Sequence, residues 1–130
     1  MTSLPPLTLE ISPTFIISTA LATRDYQDVH HDRDLAQGHG SKDIFLNILT
    51  TTGLVQRYVT DWAGPEAQVL GIAIRLGVPC YAYETLVLSG RVVRREGDEV
   101  EVAVVGRVSL GDYVTGKVVV RTGRESGGPA

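Results

Sequence analysis

A chain of 130 residues makes one domain, long enough to bury a core and too short to divide into two. Its 43% hydrophobic content excludes disorder over most of the length, and a net charge of −3 without any basic run argues against nucleic acid as a partner. No apolar run approaches a membrane span, the first residues lack the basic and apolar regions of a signal peptide, and the single Cys80 has no internal disulfide partner, so a soluble cytoplasmic protein is expected.

Pro5 and Pro6 make the first residues an extended lead-in. Residues 14–22, rich in β-branched side chains, read as one strand. A polar segment ends it at Asp32, and residues 32–37 form a turn or two of helix with Asp32 as N-cap, stopped by Gly38 and Gly40. Ser41 then opens the one long helical pattern, with Asp43 suited to the positive end of its dipole. Ile44, Phe45, Ile48, Leu49, Val55, Tyr58, Val59 and Trp62 recur at spacings of three and four, and Gly64-Pro65 ends the helix. Thr50, Thr51, Thr52 and Gly53 are poor helix formers, which predicts close coverage by a sheet at Gly53.

Strands follow over residues 69–75, 84–95, 99–109 and 113–122, with a bulge or break at Gly77-Val78-Pro79 and tight turns at Gly97-Asp98 and Gly111-Asp112. Residues 123–130 read as a flexible tail, leaving residues 1–122 as the domain. One helix across one antiparallel sheet is an α+β arrangement. The sheet's second face is solvated or paired with another subunit, and the valine-rich strands point to an oligomer.

Chemistry concentrates in Arg24-Asp25-Tyr26-Gln27-Asp28-Val29-His30-His31-Asp32, followed by Gly38-His39-Gly40-Ser41. Asp25 and His30 are read as an acid/base pair. On an α-helix a spacing of five sets them roughly 140° apart, so they converge only on a loop. The amides of Gly40 and Ser41, at the expected helix start, are the candidate site for a developing negative charge. Asn47, early in the same helix, is the candidate pocket-facing polar residue. On the residues alone, Asp25 capping a turn and His30 lying on the surface stay open. A third reading gathers a metal on His30, His31 and His39, but adjacent histidines point apart and the C-terminal half offers no second cluster. Lys42 and Arg57 are exposed helix charges or contacts to phosphates, and Cys80 shows no sign of activation.

Asp25-x-x-x-x-His30, then Ala36, then His39-Gly40 resembles the hydratase motif of the MaoC-like enoyl-CoA hydratases, which have the hot-dog fold. That motif reads Asp-x-Asn-Pro-Leu-His, an alanine six residues on, and His-Gly at the start of the central helix. Gln27 and Asp28 here replace its Asn-Pro. Residues 18–25, 27–34, 40–45, 53–65 and 75–79 are similar to the small MaoC-like subunits of actinobacterial steroid enoyl-CoA hydratases of cholesterol side-chain degradation, a likeness over nearly the whole chain. The resemblance implies a single hot-dog domain, a larger MaoC-like partner in a heterotetramer and an active site at the hot-dog pair interface. It also implies a steroid acyl-CoA substrate of the 3-oxo-4,17-pregnadiene-20-carboxyl-CoA type, hydrated without cofactor or metal. A thiolase-like aldolase attached through the larger subunit would use the product. Within such a family Asp25 and His30 are the catalytic pair and the His-Gly places the glycine amide, here that of Gly40, which accords with Gly40, Ser41 and Asn47 as the oxyanion and pocket candidates. The rival reading is a hot-dog subunit that only stabilises a catalytic partner.

Overall fold

Ser12 and Pro13 decide the first half of the fold. In the computed structural model, which describes residues 2–122, Ser12 is an N-cap whose hydroxyl accepts from the Phe15 amide at 3.0 Å, and Pro13 stands at the first helical position. Residues Pro13–Ala22 therefore form a helix, α1, where β-propensity predicts a strand. The β-branched content is accommodated because Thr19 and Thr23 turn their hydroxyls back onto the Phe15 and Thr19 carbonyls, at 2.7 and 3.0 Å. Ile16 and Ala20, four apart, bury the inner stripe. Ahead of it, β1 (Ser3–Glu10) takes the place of a lead-in. Its register against the next strand shifts between Leu4 and Leu7, where Pro5 and Pro6 interrupt the ladder of an edge strand.

The short helix α2 (Arg33–Gly38) forms as expected, with Asp32 capping the Leu35 amide at 3.0 Å. The long helix α3 is shorter than its pattern: it runs Ile48–Ala63, capped by Asn47 rather than by Ser41. Residues 41–47 are irregular instead, bending at Lys42 and Asp43 and bridging the sheet side only at Phe45. The Phe45 amide donates to the Val29 carbonyl, the Leu46 amide to that of Cys80, and the Ala82 amide to that of Ile44, at 3.0–3.1 Å. These bonds, and the bridge between Phe45 and Tyr81, compete with helix for the same backbone groups. Gly64, at φ 103, closes α3.

Four strands follow: β2 (Gln68–Leu76), β3 (Thr85–Glu96), β4 (Glu99–Val108) and β5 (Gly111–Arg121). With β1 they make one antiparallel sheet in the order β1-β3-β4-β5-β2. The Gly97-Asp98 turn lies where expected, while the second turn falls at Ser109-Leu110, placing Gly111 and Asp112 on β5. β2 breaks at Gly77, where a Cβ would lie 2.3 Å from the Asp112 carbonyl oxygen, so the chain passes β5 at a distance only glycine permits. Gly53 is the reverse case: a Cβ there meets nothing within 4 Å, and the close-packing expectation does not hold. The small residues buried here are Thr50 and Thr51, and the Thr51 hydroxyl meets Tyr113 on β5.

The sheet curls around α3, whose Val55, Tyr58, Val59 and Ala63 pack with Leu86, Leu88 and the inward valines Val100, Val102, Val104, Val118 and Val120. Alternation along β4 leaves the opposite face half-buried at Glu101, Ala103 and Val105. No helix among the described residues is long and apolar enough to cross a membrane. The expected tail at residues 123–130 lies outside the described residues.

Cys80 is fully buried, and burial, with the charge of Glu84 second, pushes its thiol from 9.0 up to about 12. Iodoacetamide at pH 8 is expected to leave the folded protein unlabelled and to label it once urea unfolds it. Because the folded value is the raised one, the thiol's contribution to stability is complete below about pH 9 and is lost as pH rises toward about 12. Burial likewise raises the Tyr113 hydroxyl on β5. Urea midpoints should therefore fall across that alkaline window, and rapid labelling of the native protein at pH 8 would contradict the buried assignment.

Candidate active site

The end of α1 aims Asp25. The Asp25 amide donates to Ala20 O at 2.8 Å and the Arg24 amide to Leu21 O at 3.0 Å, the paired bonds of a Schellman ending. Arg24 occupies the left-handed position, φ 57, that glycine usually fills. The chain leaves the helix abruptly, and Asp25 is the first residue beyond the turn. Its Oδ1 accepts from the Gln27 amide at 3.2 Å, bending the loop into a 3-10 turn at Asp28–His30. The loop required by the five-residue spacing is present, and it brings the two side chains together: His30 Nε2 lies 3.4 Å from Asp25 Oδ2. The histidine side chain is 8% exposed and the carboxylate 21%.

His30 is fixed from behind. Its Nδ1 lies 2.7 Å from the Phe45 carbonyl oxygen, and the Phe45 ring meets the imidazole edge-on at 4.9 Å. A carbonyl only accepts, so Nδ1 carries the hydrogen and, in the neutral ring, Nε2 presents its lone pair toward Asp25. Nε2 and Oδ2 are then two acceptors converging on one place, an arrangement suited to a molecule that donates to both. The non-helical 41–47 segment supplies that carbonyl, a role that only the true helix start reveals.

The other expected site residues are distributed differently. Gly40 and Ser41 do not stand at the start of α3. The Gly40 amide donates to Gln37 O at 3.0 Å and the Ser41 amide to Ala36 O at 2.9 Å, so both close the C-terminus of α2. His39 is the C-cap of that helix, with Nε2 3.4 Å from Asp28 Oδ2, and so the His-Gly pair of the motif is not at the central helix. The amides at the real start are those of Ile48, Leu49, Thr50 and Thr51. The last two are taken by the side chain and carbonyl of Asn47, at 2.9 and 3.1 Å. Ile48 and Leu49, next in sequence to the Asn47 that reaches Asp25, retain amides with no intrahelical acceptor, and their side chains are exposed by 53% and 57%.

Asn47 is buried, and its side chain reaches Asp25. His31 points away from His30 and bonds the Asp25 carbonyl through Nε2. His30 and His31 thus both engage Asp25, one at its carboxylate and the other at its backbone carbonyl, while His39 engages Asp28. Lys42 sits 5.9 Å over the Tyr81 ring and Arg57 pairs with Asp61 at 3.5 Å, so both cations are engaged within the fold. An apolar groove formed by Pro5, Pro6, Leu7, Tyr58, Asp61 and Trp62 lies near the far end of α3 and involves neither Asp25, His30 nor Asn47.

The chain is 64% identical over 115 residues to a protein of Mycobacterium tuberculosis named 3-oxo-4,17-pregnadiene-20-carboxyl-CoA hydratase beta subunit, covering 88% of this chain and 89% of the relative. Its fold matches a chain of the ChsH1-ChsH2 complex from Mycobacterium tuberculosis with a TM-score of 0.90 and 62% identity, over 92% of this chain and 94% of that one. The (R)-hydratase from A. caviae involved in PHA biosynthesis superposes with a TM-score of 0.80 at 15% identity, over 92% and 93%, a likeness of fold alone. No family model matches the chain.

Proposed function

The chain belongs to the MaoC-like hydratases of the hot-dog fold, a family of hydro-lyases, and from that premise we propose that it is the catalytic subunit of a steroid side-chain enoyl-CoA hydratase. The observation that carries the reading is the approach of Asp25 Oδ2 to His30 Nε2, with the opposite ring nitrogen held on a carbonyl. Water lying against both acceptors is oriented with its oxygen toward the β-carbon of an unsaturated thioester. As the C–O bond forms, a proton passes to the pair, and the pair returns one to the α-carbon, so that water adds across the double bond with no net change in the enzyme. A subunit retained only to support a partner has no need of this arrangement.

The charge that develops on the thioester oxygen needs donors in a water-poor site. The amides of Ile48 and Leu49 replace those of Gly40 and Ser41 in this role, because they lie at the positive end of a 16-residue helix and are not consumed by capping. The exposed Ile48 and Leu49 side chains offer an apolar wall beside them, in keeping with a steroid acyl group and with a pocket completed by a second subunit.

The assembly proposed is a heterotetramer with a larger MaoC-like partner, through which a thiolase-like aldolase attaches. Co-expression with neighbouring genes, followed by mass measurement and hydration assays, tests it. A mixed complex with kcat/KM for a steroid 17-ene-20-carboxyl-CoA at least about 100-fold above that for crotonyl-CoA is the expected result. A homo-oligomer with equal activity on both would remove the steroid assignment.

A further inference from the structure

The Asn47 side chain carries three hydrogen bonds, and they account for every polar atom it has. Oδ1 accepts from the Thr50 amide at 2.9 Å, which caps α3. Nδ2 donates one hydrogen to Thr23 Oγ1 at 2.8 Å and the other to Asp25 Oδ2 at 3.2 Å. Thr23 can accept because its own hydrogen is directed at the Thr19 and Ala20 carbonyls, at 3.0 and 3.1 Å. The amide cannot be flipped: that would set its oxygen against a carboxylate and its NH2 against the Thr50 N–H. With the residue 4% exposed, nothing polar is left over for a substrate.

Resting on the dyad reading above, we propose that Asn47 is a positioning residue for Asp25, one side chain that ties the start of α3 to the base. Oδ2, the oxygen it holds, is the same one that faces His30 Nε2. The carboxylate has two rotational anchors, the Gln27 amide on Oδ1 and Asn47 on Oδ2, and the first belongs to an exposed loop. Asn47 is anchored in turn from both sides, since its carbonyl accepts from Thr51 Oγ1 at 2.9 Å and that hydroxyl also bonds Tyr113 on the sheet. The distance between base and helix-start amides is thereby set by a single residue. Base and oxyanion donors stay in register when the chain breathes.

Capping and positioning separate by substitution. Asn47→Ser keeps an N-cap oxygen but is too short to reach Asp25, whereas Asn47→Ala loses both functions. In the assembled enzyme, assayed with a steroid enoyl-CoA, both variants should lose about 100-fold in kcat with little change in KM. Only the alanine variant should also melt at a lower temperature. In an Asp25→Asn background, Asn47→Ser should lower the residual rate no further, because the residue acts through the carboxylate. Asn47→Ser at wild-type kcat with Asp25→Asn inactive would overturn the positioning role and leave the dyad standing. Full activity of Asp25→Asn would overturn the dyad itself. Should Asn47→Ser not assemble, Asn47→Asp keeps the cap and presents an acceptor where Asp25 needs a donor. Its kcat should fall at least as far, and a wild-type value there also overturns the role.

Discussion

Asp25→Asn is expected to lower kcat for hydration of a steroid enoyl-CoA by roughly 10²–10⁴-fold with KM little changed. The substitution is nearly isosteric. An asparagine oxygen in the Oδ2 position can still accept from Asn47 Nδ2, its NH2 then takes the Oδ1 position beside the Gln27 amide, and the carboxylate that takes up the proton is gone. His30→Ala should cost a similar factor, removing the second acceptor and leaving the Phe45 carbonyl without its donor. The double variant should be no slower than the slower single one, because groups that handle one proton fail as a unit. Single-turnover hydration in the assembled complex measures all three. Near-wild-type rates for either single variant would mean that the chemistry resides in the partner.

The pair was legible in the sequence because its requirement is local. Five residues, a polar loop and a preceding element are enough to predict convergence, and the 3.4 Å approach is what that argument needs. The amides at the start of α3 were not legible in the same way. Ser41 and Asn47 are both good N-caps, and Ile44 and Phe45 fall on the helical period by accident of spacing. What selects Asn47 is tertiary: the amides of Phe45 and Leu46 are claimed by Val29 and Cys80, distant in sequence, so residues 41–47 stay out of the helix. The exposure of Ile48 and Leu49 belongs with this, since a helix opening at Ser41 would have put them on a buried stripe.

A similar competition reversed the reading of residues 14–22. β-Branched content is a statement about side chains on a pleated surface, whereas Ser12-Pro13 is a statement about backbone: a capping hydroxyl and a preset φ. The backbone signal won because the threonine hydroxyls bond within the helix. The C-terminal strands, by contrast, were legible almost to the residue, since an alternating pattern bounded by Gly97-Asp98 leaves one register that buries the valines.

That register also sets the largest stability effect expected. Leu88 on β3, Gly106 on β4 and Val114 on β5 are cross-strand neighbours in one row beneath α3. A Cβ on Gly106 would stand 2.7 Å from Val114 Cγ1 and 3.0 Å from Leu88 Cδ2, so the two larger side chains close over the glycine and occupy its volume. Leu88→Ala, at a site 1% exposed, should cost about 2–5 kcal/mol by opening a cavity. Gly106→Ala should cost about 1–3 kcal/mol by overpacking the same space. The two defects have opposite sign in volume, so the double variant should be more stable than the sum predicts, by about 0.5–3 kcal/mol. Equilibrium urea unfolding at fixed protein concentration reads all four proteins. Additivity within about 0.5 kcal/mol would mean that the row does not share one packing space. Glycine at position 106 is therefore a packing decision: the sheet gives up one side chain on β4 so that Leu88 and Val114 can meet.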